Sequence, residues 1–214
     1  MREPSALDFE RSVIIPRARR PVLTFILLGL TAGIFALLTL LSQIQDIPYY
    51  SLLYIFGAKV NALIQSGEVW RLIAPIFLHV DIRHLLFNGY ALYVLGSQVE
   101  IIYGRGRFAA IYFLAGILGN LASFAFNSRD SVGASGAIFG LFGALLFLGV
   151  EKPGVWKKYF RANILTAVGI NIIYGLFNPQ IDNFAHGGGL VAGFLACGML
   201  RPAFQVEQAQ QAQR

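Results

Sequence analysis

The chain has 214 residues, of which 56% are hydrophobic and only 13% charged, and its mean hydropathy is +0.61. A soluble domain carries about 25% charged residues, so this balance excludes one. The formal charge of +6 belongs with basic loops flanking a membrane rather than with nucleic acid, and the single cysteine, Cys197, leaves no partner for an intramolecular disulfide or a thiolate metal cluster.

Charges fall in short clusters between apolar runs of about 17–25 residues, the length that crosses a bilayer. Residues 1–20 form a polar segment ending in Arg17, Arg19 and Arg20. The apolar run that follows is too long for a signal-peptide core. The first span is expected from Pro21 to Ser42. From Gln43 to His79 the chain is too polar to cross lipid yet rich in Tyr, Phe, Leu and Ile, which suits a long loop lying partly in the interface. Further spans are expected at Ile82–Val99, Phe108–Phe126, Ser135–Val150, Ile164–Phe177 and His186–Leu200. The runs lack the alternation of barrel strands, so they read as helices. The fold class is an all-α polytopic membrane protein, a six-transmembrane-helix bundle over residues 21–200. Residues 201–214 make a polar tail.

Placing the N-terminus inside puts thirteen Lys and Arg residues on that side and leaves Lys59, Arg71, Arg83 and Arg129 on the other. This positive-inside bias makes both termini cytoplasmic. The beginnings of spans two, four and six then face outward.

Polar side chains inside spans are costly and mark function. Here they are His79, His84 and Asn88 near the start of span two, Ser135 at the start of span four, and His186 at the start of span six. One level of a bundle would hold all of them, including every histidine of the chain. His84 and Asn88 are four apart and share a helix face. A lone serine in a membrane helix is most often a packing residue. Gly136 and Gly140 in span four, with Gly189 and Gly193 in span six, are spaced to let the two backbones approach. That approach would bring Ser135 to His186, a base able to take its proton. The glycines serve packing on either reading. Gly133 and Phe139 flank the serine.

These residues resemble the rhomboid intramembrane serine proteases. The match comprises His79-x4-His84-x3-Asn88, Gly133-Ala134-Ser135-Gly136, and Ala185-His186-x2-Gly189-x3-Gly193, with Trp70-Arg71, Glu100, Gly104 and Arg107-Phe108 also fitting the pattern. It covers about residues 67–200 and looks like the six-span prokaryotic type. The resemblance implies a dyad with Ser135 as nucleophile and His186 as base, needing no third carboxylate, no metal and no cofactor. Asp182 reads as a loop residue without a catalytic role. The resemblance further implies an oxyanion site of His84, Asn88 and the Ser135 N–H, with Gly133 shaping the turn that aims that donor. His79 is expected to order the first loop, and a wet cavity is expected beside His79, His84, Asn88 and Ser135. Phe139 stands where the family usually carries a tyrosine that stacks on the base. Glu100, Arg71, Arg105 and Arg107 are expected to tie loops or sit at the interface.

The implied function is cleavage of transmembrane segments of other proteins, with span five and the segment Asn178–Phe184 resembling a lateral gate. The implied setting is the cell membrane, with the lipid bilayer as partner, no nucleic acid, and nothing that specifies an oligomeric state. The alternative is a catalytically silent rhomboid-like protein that binds transmembrane helices. A transporter is disfavoured by the lack of an internal repeat. His79 and His84 lie five apart, on different faces of a regular helix, which disfavours a haem or metal site.

Overall fold

The computed structural model describes residues 20–200. Apart from Arg20, the expected cytoplasmic segments 1–20 and 201–214 lie outside the described residues. Helix α1 (Val22–Gln45) follows Pro21 and has no side-chain cap of its own. Its first backbone donors go instead to a carboxylate far along the chain. Glu100 accepts from the N–H groups of Leu23 and Thr24 at 2.9 and 2.7 Å and from the Thr24 hydroxyl at 2.8 Å. Orphan N–H groups at a helix start need such partners when water is absent.

The long first loop holds α2 (Tyr49–Ile55), α3 (Asn61–Gln65) and two 3₁₀ turns, Val69–Leu72 and Ala74–Phe77. Arg71 organises it. Buried to 3% exposure, it pairs with Glu68 at 2.8 Å and donates to the carbonyls of Tyr54 and Ala58. The Trp70 ring covers its guanidinium at 4.7 Å. Tyr50, Ile55, Val69 and Trp70 remain exposed, an apolar surface suited to a loop that lies in the membrane interface.

Span two runs over residues 82–103 as α4 (Ile82–Ala91), a π turn (Leu92–Gly96) and α5 (Ser97–Tyr103). A single residue, Gly104 with φ +82°, connects it to α6 (Arg105–Phe126). Then come α7 (Ser135–Glu151), α8 (Pro153–Tyr159), α9 (Arg161–Phe177) and α10 (Asn183–Met199). Among the described residues, six long apolar helical segments make an all-α polytopic membrane bundle. Three of them, residues 22–45, 82–103 and 105–126, are long and apolar enough to cross a bilayer by length and composition alone. The others are 17-residue helices.

Helix α7 is the centre. Every residue from Gly136 to Leu145 is buried, which explains an apolar sequence with no polar face. The α7–α10 contact is made by backbone on backbone. A methyl group at Gly189 would lie 2.0 Å from the Gly136 carbonyl oxygen, and one at Gly193 would lie 2.0 Å from that of Gly140. Helix α6 closes the trio: a Cβ at Gly119 would meet the Ala185 carbonyl at 2.7 Å, and one at Gly140 would meet the Ala115 methyl at 2.1 Å. Helix α9 stands apart, burying only Ile164, Val168 and Gly175.

The sixth helix departs from expectation. It begins at Asn183, not at His186, because Asp182 caps it by accepting the Ala185 N–H at 3.1 Å. His186 is therefore its fourth residue. The other spans match within a few residues at each end.

Gly193→Ala should lower the thermal unfolding midpoint in detergent, with an overpacking cost of about 1–3 kcal/mol. Gly33→Ala, with nothing within 4 Å of the added methyl, should change stability by no more than about 0.5 kcal/mol. Equal midpoints for the two variants would contradict the backbone contact.

Candidate active site

Ser135 opens α7 directly after a turn that only glycine accommodates. Gly133 has φ +131°, and a Cβ there would sit 2.7 Å from Cε1 and 2.8 Å from Nε2 of His84, and 3.9 Å from Nδ2 of Asn88. Both the conformation and the close approach require glycine. The Gly133 N–H donates to the Pro75 carbonyl at 2.9 Å, anchoring this turn to the first loop. His84, Asn88 and the backbone preceding the Ser135 N–H are thus gathered at one point.

Each of these groups is held from behind. The His84 N–H donates to the Asp81 carboxylate at 2.8 Å, so Asp81 caps α4. Asn88 is buried and gives one amide hydrogen to the His84 carbonyl at 3.1 Å, which leaves its second hydrogen. His79 packs edge-on against His84 with ring centroids 5.1 Å apart, and its carbonyl accepts the Tyr49 hydroxyl at 2.9 Å. At 1% exposure His79 does not line an open cavity, contrary to expectation. Packing beneath His84 uses its surface. Burial, with His84 beside it, pushes its pKa down to about 3, so the ring is neutral at pH 7.

His186 lies at the same end of α10. Its ring stacks on Phe139, one turn into α7 from Ser135, with centroids 4.1 Å apart and planes inclined by 14°. The Gly136–Gly189 contact sets the two helices at this spacing, and the Ala185 carbonyl lies 3.4 Å from a Cβ built on Gly136. Ser135 and His186 are both half-buried. Among the described residues no hydrogen bond joins the Ser135 hydroxyl to the His186 ring. The structure brings together Ser135, Phe139 and His186 on one side, and Gly133, His84, Asn88 and His79 on the other, with Ser135 at the junction.

Sequence reasoning gave no task to Lys59 and only a loop place to Asp182, yet both are structural. Lys59 is fully buried. Its ammonium donates to Asn61 Oδ1 and the Asn127 carbonyl at 2.9 Å and to the Arg129 carbonyl at 2.6 Å, while its backbone pairs with Ser131. Burial lowers its pKa, opposed by Asp182 and Asp130. The Asp182 carboxylate accepts the Ser123 hydroxyl as well as the Ala185 N–H. Arg129 donates to the Pro179 carbonyl. These bonds stitch the first loop, the α6–α7 loop and the α9–α10 loop together around Ser135 and His186. The Lys59 ladder partner lies 72 positions away along the chain, which is why no local signal marks it.

A rhomboid domain matches residues 66–203. The chain belongs to the rhomboid family. Rhomboid protease GluP of Bacillus subtilis is 42% identical over 181 residues, which are 85% of this chain and 35% of that protein. YdcA from the same bacterium is 35% identical over 179 residues, 82% of this chain and 86% of its own length. RHOMBOID-like protein 1 of Arabidopsis thaliana is 38% identical over 139 residues, 64% of this chain and 36% of its own. This rhomboid chain therefore spans about a third of GluP but most of YdcA. GluP is named as a rhomboid protease, and YdcA as a putative one.

For Asp182, burial raises the pKa, but hydrogen bonds led by that from Ser123 outweigh it and hold the carboxyl below its usual range. A folded-state pKa below the unfolded one adds stability above the unfolded value of about 3.9 and loses it as pH falls through the folded value. Asp182→Ala should therefore cost about 0.5–2 kcal/mol at pH 7 and make the acid side of the melting curve shallower. Thermal unfolding across pH 7 to 3 checks both; an unchanged acid slope would remove Asp182 from this role.

Proposed function

We propose that this rhomboid chain is an intramembrane serine endopeptidase that cleaves transmembrane segments of other membrane proteins. The observation that carries the reading is the stack of His186 on Phe139 beside Ser135, at the helix end where Gly133 meets His84 and Asn88.

In this reading the Ser135 hydroxyl oxygen attacks the scissile carbonyl while His186 takes its proton. The tetrahedral oxyanion is held by the Ser135 N–H, the free Asn88 amide hydrogen and His84. The C–N bond then breaks, and the leaving amine takes the proton from His186. Water, deprotonated by His186, hydrolyses the resulting ester, and the proton returns to Ser135. Phe139 holds the imidazole plane without a hydrogen bond, so the base turns more freely than it would beneath a phenol. Catalytic hydrogen bonds often tighten only once substrate is bound, which accommodates the unbonded Ser135 and His186.

A substrate helix needs a way in and a reason to unwind. Helix α9 is sparsely packed, with Ile170, Ile173, Tyr174 and Phe177 exposed, and it serves as the lateral gate. Helix-breaking residues in the substrate free the carbonyls that an intact helix hides. The positive-inside bias sets both termini in the cytoplasm and opens the site on the outer face of the cell membrane.

Cleavage of a fluorogenic transmembrane peptide by the detergent-purified protein should disappear in Ser135→Ala and in His186→Ala, both folded. Asn88→Ala should lose about 10²–10³-fold in kcat. A serine-directed fluorophosphonate should label the parent and not Ser135→Ala. Labelling and cleavage absent from every version, in detergent and in lipid, would make the chain a silent helix-binding relative. Phe139→Ala should lower kcat by about 2–10-fold with KM unchanged, and Phe139→Tyr should retain activity. A loss in KM alone would mean that the ring contacts substrate instead of the base.

A further inference from the structure

A polar cavity lies apart from the serine site and shares no lining residue with it. It measures about 450 Å³ and is lined by Arg20, Glu100, Tyr103, Gly104, Arg105, Gly106 and Arg107. Its members mark a common end of three membrane helices. Arg20 lies two residues before Val22 at the start of α1, Glu100 and Tyr103 belong to α5, and Arg105 begins α6. Helix ends of this kind sit at headgroup level. We propose that the cavity binds the phosphate headgroup of an anionic phospholipid. The inference is independent of the protease reading.

Charge is the first argument. Three guanidiniums face one carboxylate, and that carboxylate is spent. Glu100 is 1% exposed, Oε1 accepts the Leu23 N–H, and Oε2 accepts the Thr24 N–H and hydroxyl. Arg105 approaches it only at 3.7 Å, with its side chain 63% exposed. Arg107 makes one long bond, to the Tyr103 carbonyl at 3.5 Å, so most of its five donors are available. Guanidinium forks match phosphate oxygens in pairs.

Space and surroundings are the second. The volume lies within the range of about 300–1,000 Å³ typical of small-molecule sites. Gly106 keeps the mouth open, since a Cβ there would have nothing within 4 Å. Beside Arg20, the α1 residues Val22, Phe25 and Ile26 are 39–56% exposed, an apolar strip on which acyl chains can lie. A free phosphate would gain nothing from that strip. Basic pockets between membrane helices commonly take anionic headgroups for these reasons.

Native mass spectrometry of the full chain in detergent, titrated separately with phosphatidylglycerol, phosphatidylcholine and inorganic phosphate, tests the proposal. Phosphatidylglycerol should be retained at least about tenfold better than phosphatidylcholine, and Arg20→Gln with Arg107→Gln should remove at least about tenfold of that preference. Lys157→Gln, at a basic residue of α8 outside the cavity, should leave it unchanged. Gly106→Asp places a carboxylate in the open mouth without touching the packing, so it should weaken retention equally while keeping the thermal midpoint of the parent. Retention unchanged in Gly106→Asp and in the double variant would overturn the site. Inorganic phosphate that binds alone and displaces the lipid at equal concentration would overturn the lipid as its occupant.

Discussion

The structure depends on one contact, the backbone of α10 lying on the backbone of α7. In lipid there is no hydrophobic force between helices, because the tails are as apolar as leucine, so association rests on close packing and on hydrogen bonds. Gly189 over Gly136 and Gly193 over Gly140 leave no room for a methyl group. The aromatic stack beside the serine inherits its place from this. Phe139 can stack on His186 at 4.1 Å only because its helix lies so close to α10. Gly119 and Gly140 extend the same logic to α6, and the trio forms a rigid frame.

Rigidity in the membrane has a polar side as well. A buried charge is tolerated only where its bonds are filled, and each buried charge outside the serine site does structural duty at a helix end or a loop. Glu100 caps α1 across 76 positions of sequence. Arg71 folds the first loop around itself, and Lys59 joins that loop to the one leading into Gly133. The Gly133 turn is thus fixed from two sides, by the Pro75 carbonyl and by the Lys59–Ser131 bridge two residues earlier. The position of the Ser135 N–H is decided as much by loops as by its helix.

Length, hydropathy and the spacing of small residues made the bundle and the glycine seam legible from residues alone, since both arise within single helices. The grouping of His84, Asn88, Ser135 and His186 at one level was legible for the same reason: each lies at or near a helix start. The start of the sixth helix was misread because an apolar run does not reveal its cap; Asp182 moves the helix one turn earlier. His79 was expected beside water and is instead packed under His84, a matter of tertiary crowding that spacing cannot express. The tasks of Lys59 and Glu100 were hidden for a related reason. Their long-range partners lie 68 to 77 positions away, and a buried charge looks like any loop charge until the chain is folded.

The glycine-packed frame and helix α9 divide stability between them. Helices α6, α7 and α10 touch through glycine and alanine, so displacing any of them would break many close contacts at once. Helix α9 touches its neighbours through few residues and leaves most of its apolar surface to lipid. An element with few buried contacts opens at low free energy, and in a bilayer its exposed face loses little by moving, because lipid solvates it in either position. A proteolytic site needs both properties: donors fixed where charge develops, and an entrance wide enough for a helix. On the proposed protease reading, the serine and histidine stand on the glycine-packed pair and the entrance on the sparsely packed α9, so that one can move without disturbing the other.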